Sequence, residues 1–324
     1  MNAVKPFAFY RLPGAAQAYC ITPEYRGENT FVFHDFWGGN PHEFSYKRAV
    51  AVDRQADCSL PDPQRHFKGP EASLDERGYK AVLSDLIARQ KKGRLKKVVF
   101  SRYAFQAQKI NPFRAFQKLC DAYPDAMVYL WYHRDTGYWL GATPELLVAW
   151  AQGVLTTVAL AGTRMHTRAS TWNRKELMEQ QLVADYILAR LRTFSEMVQL
   201  GPMHTIRAGH LCHLKTQLSA RIDEDKIEAV TQSLHPTPAV CGLPVREAKT
   251  FIRENEKYER HFYTGFLGLH RPGKTQLYVN LRCAEIYANG IRYFAGGGIT
   301  SESRAAAEWL ETEDKIHILR CVVK

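Results

Sequence analysis

The sequence predicts a globular protein that mixes α-helices and β-strands in one domain. Its 324 residues are enough to bury a sizeable core. A composition of 45% hydrophobic and 24% charged residues is typical of soluble globular proteins. Segments with apolar spacing near 3.6 residues alternate with β-branched and aromatic runs, and no repeat or clear linker divides the chain. The predicted class is therefore α/β (α+β), with a single domain over residues 1–324.

Strand signals dominate residues 1–69, where FVFHDFWGG alternates apolar and polar residues before the turn-rich SLPDPQRHFKGP. Apolar spacing then predicts a helix that Ser73 caps and Gly93 ends. The following run, KKVVFSRYAFQAQ, predicts a strand in which Lys97 shares a face with Val99. A lysine entering a strand usually lies at an edge or in solvent.

A helix is predicted around residues 112–120, and after it a hairpin that runs from AMVYLWYH through a turn at 134–137 to YWLGATPELLVAW. Glu145 follows a proline between apolar segments of this hairpin. Two interpretations of Glu145 stay open, a carboxylate that caps a turn or an acid directed into a cleft. Further on, LTTVALAGTR predicts a strand that reaches a tight turn at Ala161 and Gly162.

A long helix is predicted from Asn173 to Arg192 by its apolar positions. Glu179 lies four residues before Val183 and therefore borders the apolar face of this helix. A carboxylate in that position needs a partner, which could be a metal ion or one of the nearby arginines. Beyond an irregular loop, LHPTPAVCGLP, the strand NLRCAEIY carries Arg282, which could present a planar fork to a carboxylate or form an ordinary ion pair.

The stretch AGGGITSESRAAAEWLETEDK predicts a ligand site near the C-terminus. Its glycines, 296–298, predict a loop that brings backbone N–H groups close to an anion, and Ser303 predicts the N-cap of the next helix. In that helix Glu308, Glu311 and Lys315 recur at i, i+3 and i+7, on one face. The alternative is a solvated charged stripe, but the adjacent glycines favour an anion held through a divalent metal.

The net charge of +11 favours anionic partners without choosing among them. The densest basic run, residues 89–97, lacks the interleaved aromatic residues of a nucleic-acid platform, so we expect a solvated helix end and no nucleic-acid partner.

Seven scattered cysteines with no CxxC pair indicate a reducing compartment. His210 and His213 form an HxxH pattern, but two further ligands at fitting spacing are missing, which disfavours zinc.

Neither a signal peptide nor a membrane span is visible in the sequence. The N-terminal residues are interrupted by charges and prolines, and no apolar run approaches the roughly 18 residues that span a bilayer. We therefore expect a cytoplasmic protein with no membrane partner.

Eight motifs in the same order resemble the chorismate-utilising enzymes, and most closely their isochorismate synthases. The resemblance covers residues 70–322, which leaves 1–69 as an N-terminal part that is shorter than in many relatives. The motifs are KVVFSR, GATPELL, LAGTR, KELMEQQLV, HLKT, LHPTPAVCGLP, NLRCAEI and AGGGI with EWLET and a lysine after it. The resemblance implies two large antiparallel sheets packed face to face, with helices outside.

The reaction that the resemblance implies is the isomerisation of chorismate to isochorismate, by addition of water at C2 and loss of the C4 hydroxyl. Lys97 matches the general base that activates water, and Glu145 matches the general acid that protonates the departing hydroxyl. A lysine accepts a proton only when it is neutral, so we expect burial or nearby cations around Lys97. Each such proton transfer contributes about 10² to 10⁴ in rate.

The same matching implies a Mg²⁺ cofactor and a site for the substrate carboxylates. The metal ligands carry over to Glu179 and Glu311, with Glu308 in a supporting position. The groups that hold the substrate carry over to the side chains of Arg282 and Lys315 and to the amides around Gly162, Gly296 and Gly297.

Particular residues separate the relatives. Aminodeoxychorismate synthases carry a nucleophilic lysine where this chain has Ala161, which argues against them. Anthranilate synthases do not use a lysine at the position of Lys97, so we expect no glutaminase subunit. Salicylate synthases, which also remove pyruvate, are the main alternative, although Pro238-Ala239-Val240 resembles isochorismate synthases more closely. The sequence leaves menaquinone and siderophore pathways both open.

Four residues depart from the family pattern without removing a matched catalytic or metal group. These residues are Gln180, Lys257, His261 and Ala305. They put the local geometry of the site, its metal affinity and the reaction rate in question.

Overall fold

Two antiparallel sheets form the framework of the computed structural model, which describes residues 5–39, 41–53, 58–165, 171–208 and 211–323. The strands in chain order are β1 (Phe7–Arg11), β2 (Ala18–Ile21), β3 (Asn29–His34), β4 (His42–Tyr46), β5 (Val50–Val52), β6 (Lys97–Gln106), β7 (Met127–His133), β8 (Gly137–Thr143), β9 (Leu146–Ala151), β10 (Val154–Met165), β11 (Val198–Leu200), β12 (His204–Ala208), β13 (Leu211–Arg221), β14 (Gly242–Leu243), β15 (Phe266–Arg271), β16 (Lys274–Val279), β17 (Cys283–Tyr287) and β18 (Gly290–Ile299).

The first three helices begin after residues whose side chains cap them. Asp75 caps the first by accepting from the backbone N–H of Gly78, and Asn173 closes a capping box with Glu176 at the start of the third. The helices are α1 (Glu76–Lys92), α2 (Pro112–Ala122), α3 (Arg174–Arg192), α4 (Ile227–Leu234), α5 (Val245–Asn255) and α6 (Ala305–Val323).

The strand order places the chain's middle and C-terminal thirds side by side. Sheet A has the order β14-β6-β18-β17-β8-β7-β1-β2-β5, and sheet B has the order β11-β13-β10-β9-β16-β15-β3-β4, with β12 paired to β13. Every pairing recorded among the described strands is antiparallel. Since β6 and β18 are neighbours, the strand of Lys97 lies beside the glycine-rich strand.

The two sheets pack face to face and the helices cover their outer faces, which confirms the expected architecture. Aromatic side chains of both sheets fill the space between them, among them Phe31, Phe33, Trp131 and Trp139. Helices α2 and α6 pack on the outside of sheet A, and α3 and α4 on the outside of sheet B. Helices α1 and α5 cover the end of sheet A at β6.

The N-terminal strands extend both sheets. Strand β1 pairs with β7 in sheet A, and β3 pairs with β15 in sheet B. The Phe33 ring of β3 stacks on Phe262 with ring centroids 4.1 Å apart, and its centroid lies 5.5 Å from that of Trp131 in the opposite sheet. The strands expected within residues 1–69 are therefore part of the same sandwich.

Two turns expected from glycines are wrong. The glycines at 296–298 do not form a loop, because they lie inside β18 and pair with Ser101, Phe100 and Val99 of β6. Ala161 and Gly162 do not form a tight turn either, since β10 continues to Met165. A bulge in the pairing of β10 with β13 falls at this point, and Gly162 supplies its left-handed backbone with φ of +67°.

Two expected helix caps are also wrong. Asp75 caps α1, whereas the Ser73 hydroxyl accepts a hydrogen bond from the backbone N–H of Tyr103. Helix α6 begins at Ala305, and the hydroxyl of Ser303 accepts from the backbone N–H of Thr300 in the turn before it. In both places the serine stabilises the preceding connection and does not cap the helix.

Candidate active site

A cleft opens at one end of the sandwich, where β6, β10, β13, β18, α3 and α6 meet. Seven of the ten residues singled out by the sequence line it. The other three adjoin lining residues, since Lys97 pairs with Glu179, Glu308 pairs with Lys175, and Gly297 lies between two lining glycines. The seven lining residues are Glu145, Gly162, Glu179, Arg282, Gly296, Glu311 and Lys315. The fold therefore brings together residues that are separated by more than 200 positions in sequence.

Lys97 is fully buried at the start of β6, which contradicts the expectation of an edge or solvent position for a lysine entering a strand. Its Nζ lies 2.7 Å from Oε1 of Glu179 on α3. The partner that Glu179 requires is thus a lysine of the opposite sheet and not an arginine nearby in sequence. This ion pair joins sheet A to the helix that covers sheet B.

Glu145 occupies the break between β8 and β9. Its backbone carbonyl accepts from the N–H of Val279 and its own N–H donates to the Thr143 hydroxyl, which fixes the residue in place. The side chain lines the cleft, so the interpretation as an acid directed into a cleft is correct and the turn cap is wrong. Burial raises the pKa of Glu145 to about 8, although the charge of Lys97 opposes that shift.

Arg282, His213 and the Gly162 carbonyl form a chain of hydrogen bonds on one wall of the cleft. Nδ1 of His213 lies 3.1 Å from the carbonyl oxygen of Gly162, and Nε2 lies 3.1 Å from the Arg282 guanidinium. If Nδ1–H donates to that carbonyl, Nε2 accepts from Arg282, which requires a neutral ring. Burial, aided by the charges of Arg282 and Lys315, lowers the pKa of His213 to about 3 and keeps it neutral at physiological pH.

The opposite wall is formed by β18 and α6. Lys315 donates to the carbonyl oxygen of Gly296 and to Oε1 of Glu311, both at 2.8 Å. The recorded pairing of β18 with β17 ends at Tyr293, so among the described strands β18 has a partner on only one side from Phe294 onward. This edge leaves backbone groups of the glycine segment available to a ligand.

The predicted metal ligands surround two adjacent glycines. A Cβ at Gly298 would lie 2.2 Å from Oε1 of Glu179, and one at Gly297 would lie 3.0 Å from Oε2 of Glu308 and 4.0 Å from Oε1 of Glu311. Side chains at these positions would fill the space that the carboxylates share. Glycine is required here because the carboxylates approach the backbone.

The residues fit Mg²⁺ chemically, although they are not assembled as a ready metal site. All donors are carboxylate oxygens, the type that Mg²⁺ prefers. Oε2 of Glu308 is buried and has no hydrogen bond of ordinary geometry within the described residues. In the same part of the chain, no three His, Cys, Asp or Glu side chains converge as a metal-binding group. Each carboxylate contacts a lysine instead.

Three residues of the site were missed in the sequence. Lys175 lines the cleft, and its Nζ lies 2.6 Å from Oε1 of Glu308. Its position four residues before Glu179, on the same helix face, was an available signal. His213 was weighed only as a zinc ligand, and Gly298 only as part of a loop. The zinc pattern's other histidine, His210, lies outside the described residues.

The departures from the family pattern lie around the site without entering it. Gln180 is buried and donates to the Ala159 carbonyl and the Thr216 hydroxyl, which ties α3 to β10 and β13. Lys257 is exposed, His261 adopts a left-handed backbone with φ of +48°, and Ala305 is the first residue of α6.

The basic run is a solvated helix end at its start, as expected, but its last residue, Lys97, is buried in β6. Arg89, Lys91 and Lys92 lie in the last turn of α1 and are exposed. No described helix has the length and apolar character that crossing a membrane requires.

Comparison with known proteins identifies relatives of the chain. The family described as "Chorismate binding enzyme" matches residues 45–324. The chain is 32% identical over 272 residues to the "Salicylate biosynthesis isochorismate synthase" of Pseudomonas aeruginosa, covering 80% of this chain and 57% of that protein. It is 29% identical over 263 residues to "Isochorismate synthase MenF" of Haemophilus influenzae, covering 76% of this chain and 60% of that protein. The chain thus spans little more than half the length of these curated relatives.

Solved structures share the fold. The menaquinone-specific isochorismate synthase MenF of Escherichia coli superposes with a TM-score of 0.84 at 19% identity, covering 98% of this chain and 89% of that one. Anthranilate synthase component I of Streptococcus pneumoniae gives a TM-score of 0.75 at 17% identity, covering 98% and 93%. At these identities the likeness concerns the fold alone.

Proposed function

The chain belongs to the chorismate binding enzyme family, and we propose that it is an isochorismate synthase, an isomerase that converts chorismate to isochorismate with Mg²⁺ as cofactor. Several relatives are named isochorismate synthases. Ala161 disfavours the aminodeoxychorismate synthases, because it offers no amine where they use a nucleophilic lysine. The proposed activity, substrate and cofactor are argued from the residues of the cleft.

The observation that carries the proposal is the environment of Glu145. Its carboxyl group lines the cleft, and a pKa of about 8 keeps it protonated at neutral pH. Hydroxide is a poor leaving group, so loss of the C4 hydroxyl requires a proton from an acid. A buried, protonated carboxyl group meets that need.

Lys97 is the candidate base on the other side of the reaction. Water is a weak nucleophile, so its addition at C2 requires a group that removes a proton as the C–O bond forms. Lys97 Nζ forms an ion pair with Glu179, but the nitrogen has no hydrogen bond of ordinary geometry within the described residues. In this role the unprotonated Lys97 nitrogen accepts the proton of the water that adds at C2.

The remaining residues hold the substrate. Chorismate carries two carboxylates, and the cleft offers the Arg282 guanidinium, the Lys315 ammonium and backbone groups around Gly162, Gly296 and Gly297. His213 fixes the direction of the guanidinium through its neutral Nε2. These contacts orient the ring between Lys97 and Glu145 and exclude bulk water.

Glu179 and Glu311, supported by Glu308, would hold the Mg²⁺ ion. The bound cation would supply positive charge that neutralises a substrate carboxylate. The buried Oε2 of Glu308 supports this assignment, since a buried carboxylate oxygen needs a cation or a donor.

The proposed enzyme is cytoplasmic and works without a glutaminase subunit. All seven cysteines are free thiols, which supports a reducing compartment. Water and not ammonia is the proposed nucleophile, so no ammonia-supplying subunit is needed. A product of this kind would enter menaquinone or siderophore synthesis, as the relatives' names suggest for those proteins.

The product assay tests the proposal. Purified protein is incubated with chorismate and Mg²⁺, and the products are separated by chromatography. We expect isochorismate to accumulate until the two isomers reach equilibrium. An unchanged chorismate peak across a range of pH and Mg²⁺ concentrations contradicts the proposal, and a salicylate peak would identify a salicylate synthase instead.

A further inference from the structure

Three lysines and three carboxylates pair one to one around the glycine segment of β18. Lys97 contacts Glu179 and Lys315 contacts Glu311. The third contact joins Lys175 to Glu308. The proposed reaction uses Lys97 and Lys315 but gives Lys175 no task.

Lys175 lies in the first turn of α3, and its ammonium reaches across the cleft to Glu308 on α6. Its side chain is only 18% exposed, and Nζ to Oε1 is 2.6 Å. Its charge also interacts with Glu179 and Glu311, so it acts on all three predicted metal ligands. Lys315 contacts Glu311 of its own helix, α6, and also donates a hydrogen bond to the Gly296 carbonyl.

We propose that Lys175 is a built-in counter-cation that competes with Mg²⁺ for the three carboxylates and thereby weakens Mg²⁺ binding. The inference rests on the proposed function only for the identity of the metal. The Lys175 ammonium contacts Oε1 of Glu308, so a second cation at the buried Oε2 of the same carboxylate is repelled by its charge at close range. A neutral side chain at 175 removes this competitor.

The opposite role predicts the opposite result. If Lys175 served to orient Glu308 toward the metal, its removal would weaken Mg²⁺ binding. The sign of the change in affinity therefore separates competition from positioning.

Isothermal titration calorimetry of the full chain with Mg²⁺, after removal of metal by EDTA, measures the affinity directly. We expect Lys175→Met to lower the Kd for Mg²⁺ by about tenfold or more, since a unit charge close to the ion is removed. Lys175→Arg keeps the charge and stays close to wild type. Lys226→Met removes an exposed lysine that is paired with Asp223 and serves as the matched control.

Thermal unfolding provides a second readout. Without metal, Lys175→Met leaves Glu308 buried and without its partner, so its Tm falls below that of wild type. Saturating Mg²⁺ supplies the missing charge, and the Mg²⁺-induced rise in Tm is larger in the variant than in wild type. Lys175→Gln, a neutral and polar replacement, gives the same pattern if the methionine variant does not fold.

An unchanged or higher Kd in the neutral variants overturns the inference. If wild type forms isochorismate while the affinity is unchanged, the proposed function stands and only the role of Lys175 is wrong. If neither wild type nor variant binds Mg²⁺, both the metal assignment and this inference are wrong.

Discussion

Lys97 and Glu145 are buried beside the same cleft, but their contacts differ. Lys97 touches the carboxylate of Glu179, whereas within the described residues no lysine or arginine lies in contact with the Glu145 carboxyl group. Burial favours the neutral acid more strongly than the charge of Lys97 opposes it, which is why the pKa of Glu145 is raised to about 8. The difference between the two environments supports the assignment of Glu145 as the proton donor.

Replacing either residue is expected to remove a proton transfer. Lys97→Ala and Glu145→Gln should each lower kcat by about 10² to 10⁴, with the circular dichroism spectrum unchanged. The adjacent lysine gives a matched control, because Lys96 is exposed and Lys96→Ala should keep wild-type turnover. Near-normal kcat in Lys97→Ala or Glu145→Gln would contradict the proposed roles.

The pH dependence of kcat should reflect the loss of the proton from Glu145. Its acid form is lost as the pH rises through about 8, so kcat is expected to fall on the alkaline side. Stopped-flow or chromatographic rates measured across this range test the expectation. A rate that stays constant well above this pH would show that Glu145 does not donate the proton.

The free energy of unfolding should also depend on pH through Glu145. The native state holds a proton on Glu145 that the unfolded chain releases above its ordinary pKa, so this contribution to stability is present at low pH and lost between about pH 4.3 and 8. The neutral Glu145→Gln variant escapes this loss. In urea unfolding its stability relative to wild type should increase by about 2–4 kcal/mol between acidic and alkaline pH.

At the scale of the element, β18 performs two tasks that conflict for any residue but glycine. It continues the ladder with β6, and it allows carboxylates to contact its backbone. A Cβ at Gly298 would lie 2.2 Å from Oε1 of Glu179 and 2.9 Å from Cε of Lys97. The strand thus positions the lysine–carboxylate pair by the absence of a side chain.

Gly298→Ala is expected to displace this pair. Since contacts below about 3 Å cannot be tolerated, Lys97 and Glu179 must shift, and kcat should fall at least tenfold while the fold persists. Gly78→Ala in the first turn of α1 provides a control outside the lining of the cleft that should retain activity. Wild-type kcat in Gly298→Ala would show that the geometry of the pair is unimportant.

At the scale of the whole molecule, the N-terminal strands are integrated into both sheets. Phe33 of β3 is fully buried and packs against Phe262 and against Trp131 and Trp139 of sheet A. The aromatic layer between the sheets therefore depends on a residue outside the region that resembles the family. This packing agrees with the single domain predicted from the sequence, which stays a prediction.

Phe33→Ala should reveal how far this layer stabilises the molecule. Loss of a buried phenylalanine ring is expected to reduce the free energy of unfolding by about 3–5 kcal/mol. Urea unfolding followed by tryptophan fluorescence and by circular dichroism measures the loss, and coincident transitions are expected of one cooperative unit. Tyr25→Ala, at a side chain that is 83% exposed, should change little. Separate transitions would indicate that the N-terminal part unfolds independently.

Much of the fold could be predicted from local patterns and ordered motifs. Apolar spacing located α3 within one residue, and the turn at 134–137 joins β7 and β8 as expected. The glycines were misplaced because glycine permits turns, bulges and close approaches alike, and only its neighbours in space decide among them. His213 was missed as a partner of Arg282, since the two residues are 69 positions apart.

The sequence by itself determined the family resemblance, the helical stripe of Glu308, Glu311 and Lys315, and the residues proposed for acid and base. Only the tertiary structure decided how the charges pair. Lys175 and Glu308 are 133 residues apart and meet because α3 and α6 approach the same end of the sandwich. Ion pairs depend on distances between elements, and local sequence patterns carry no information about such distances until the sheets have packed.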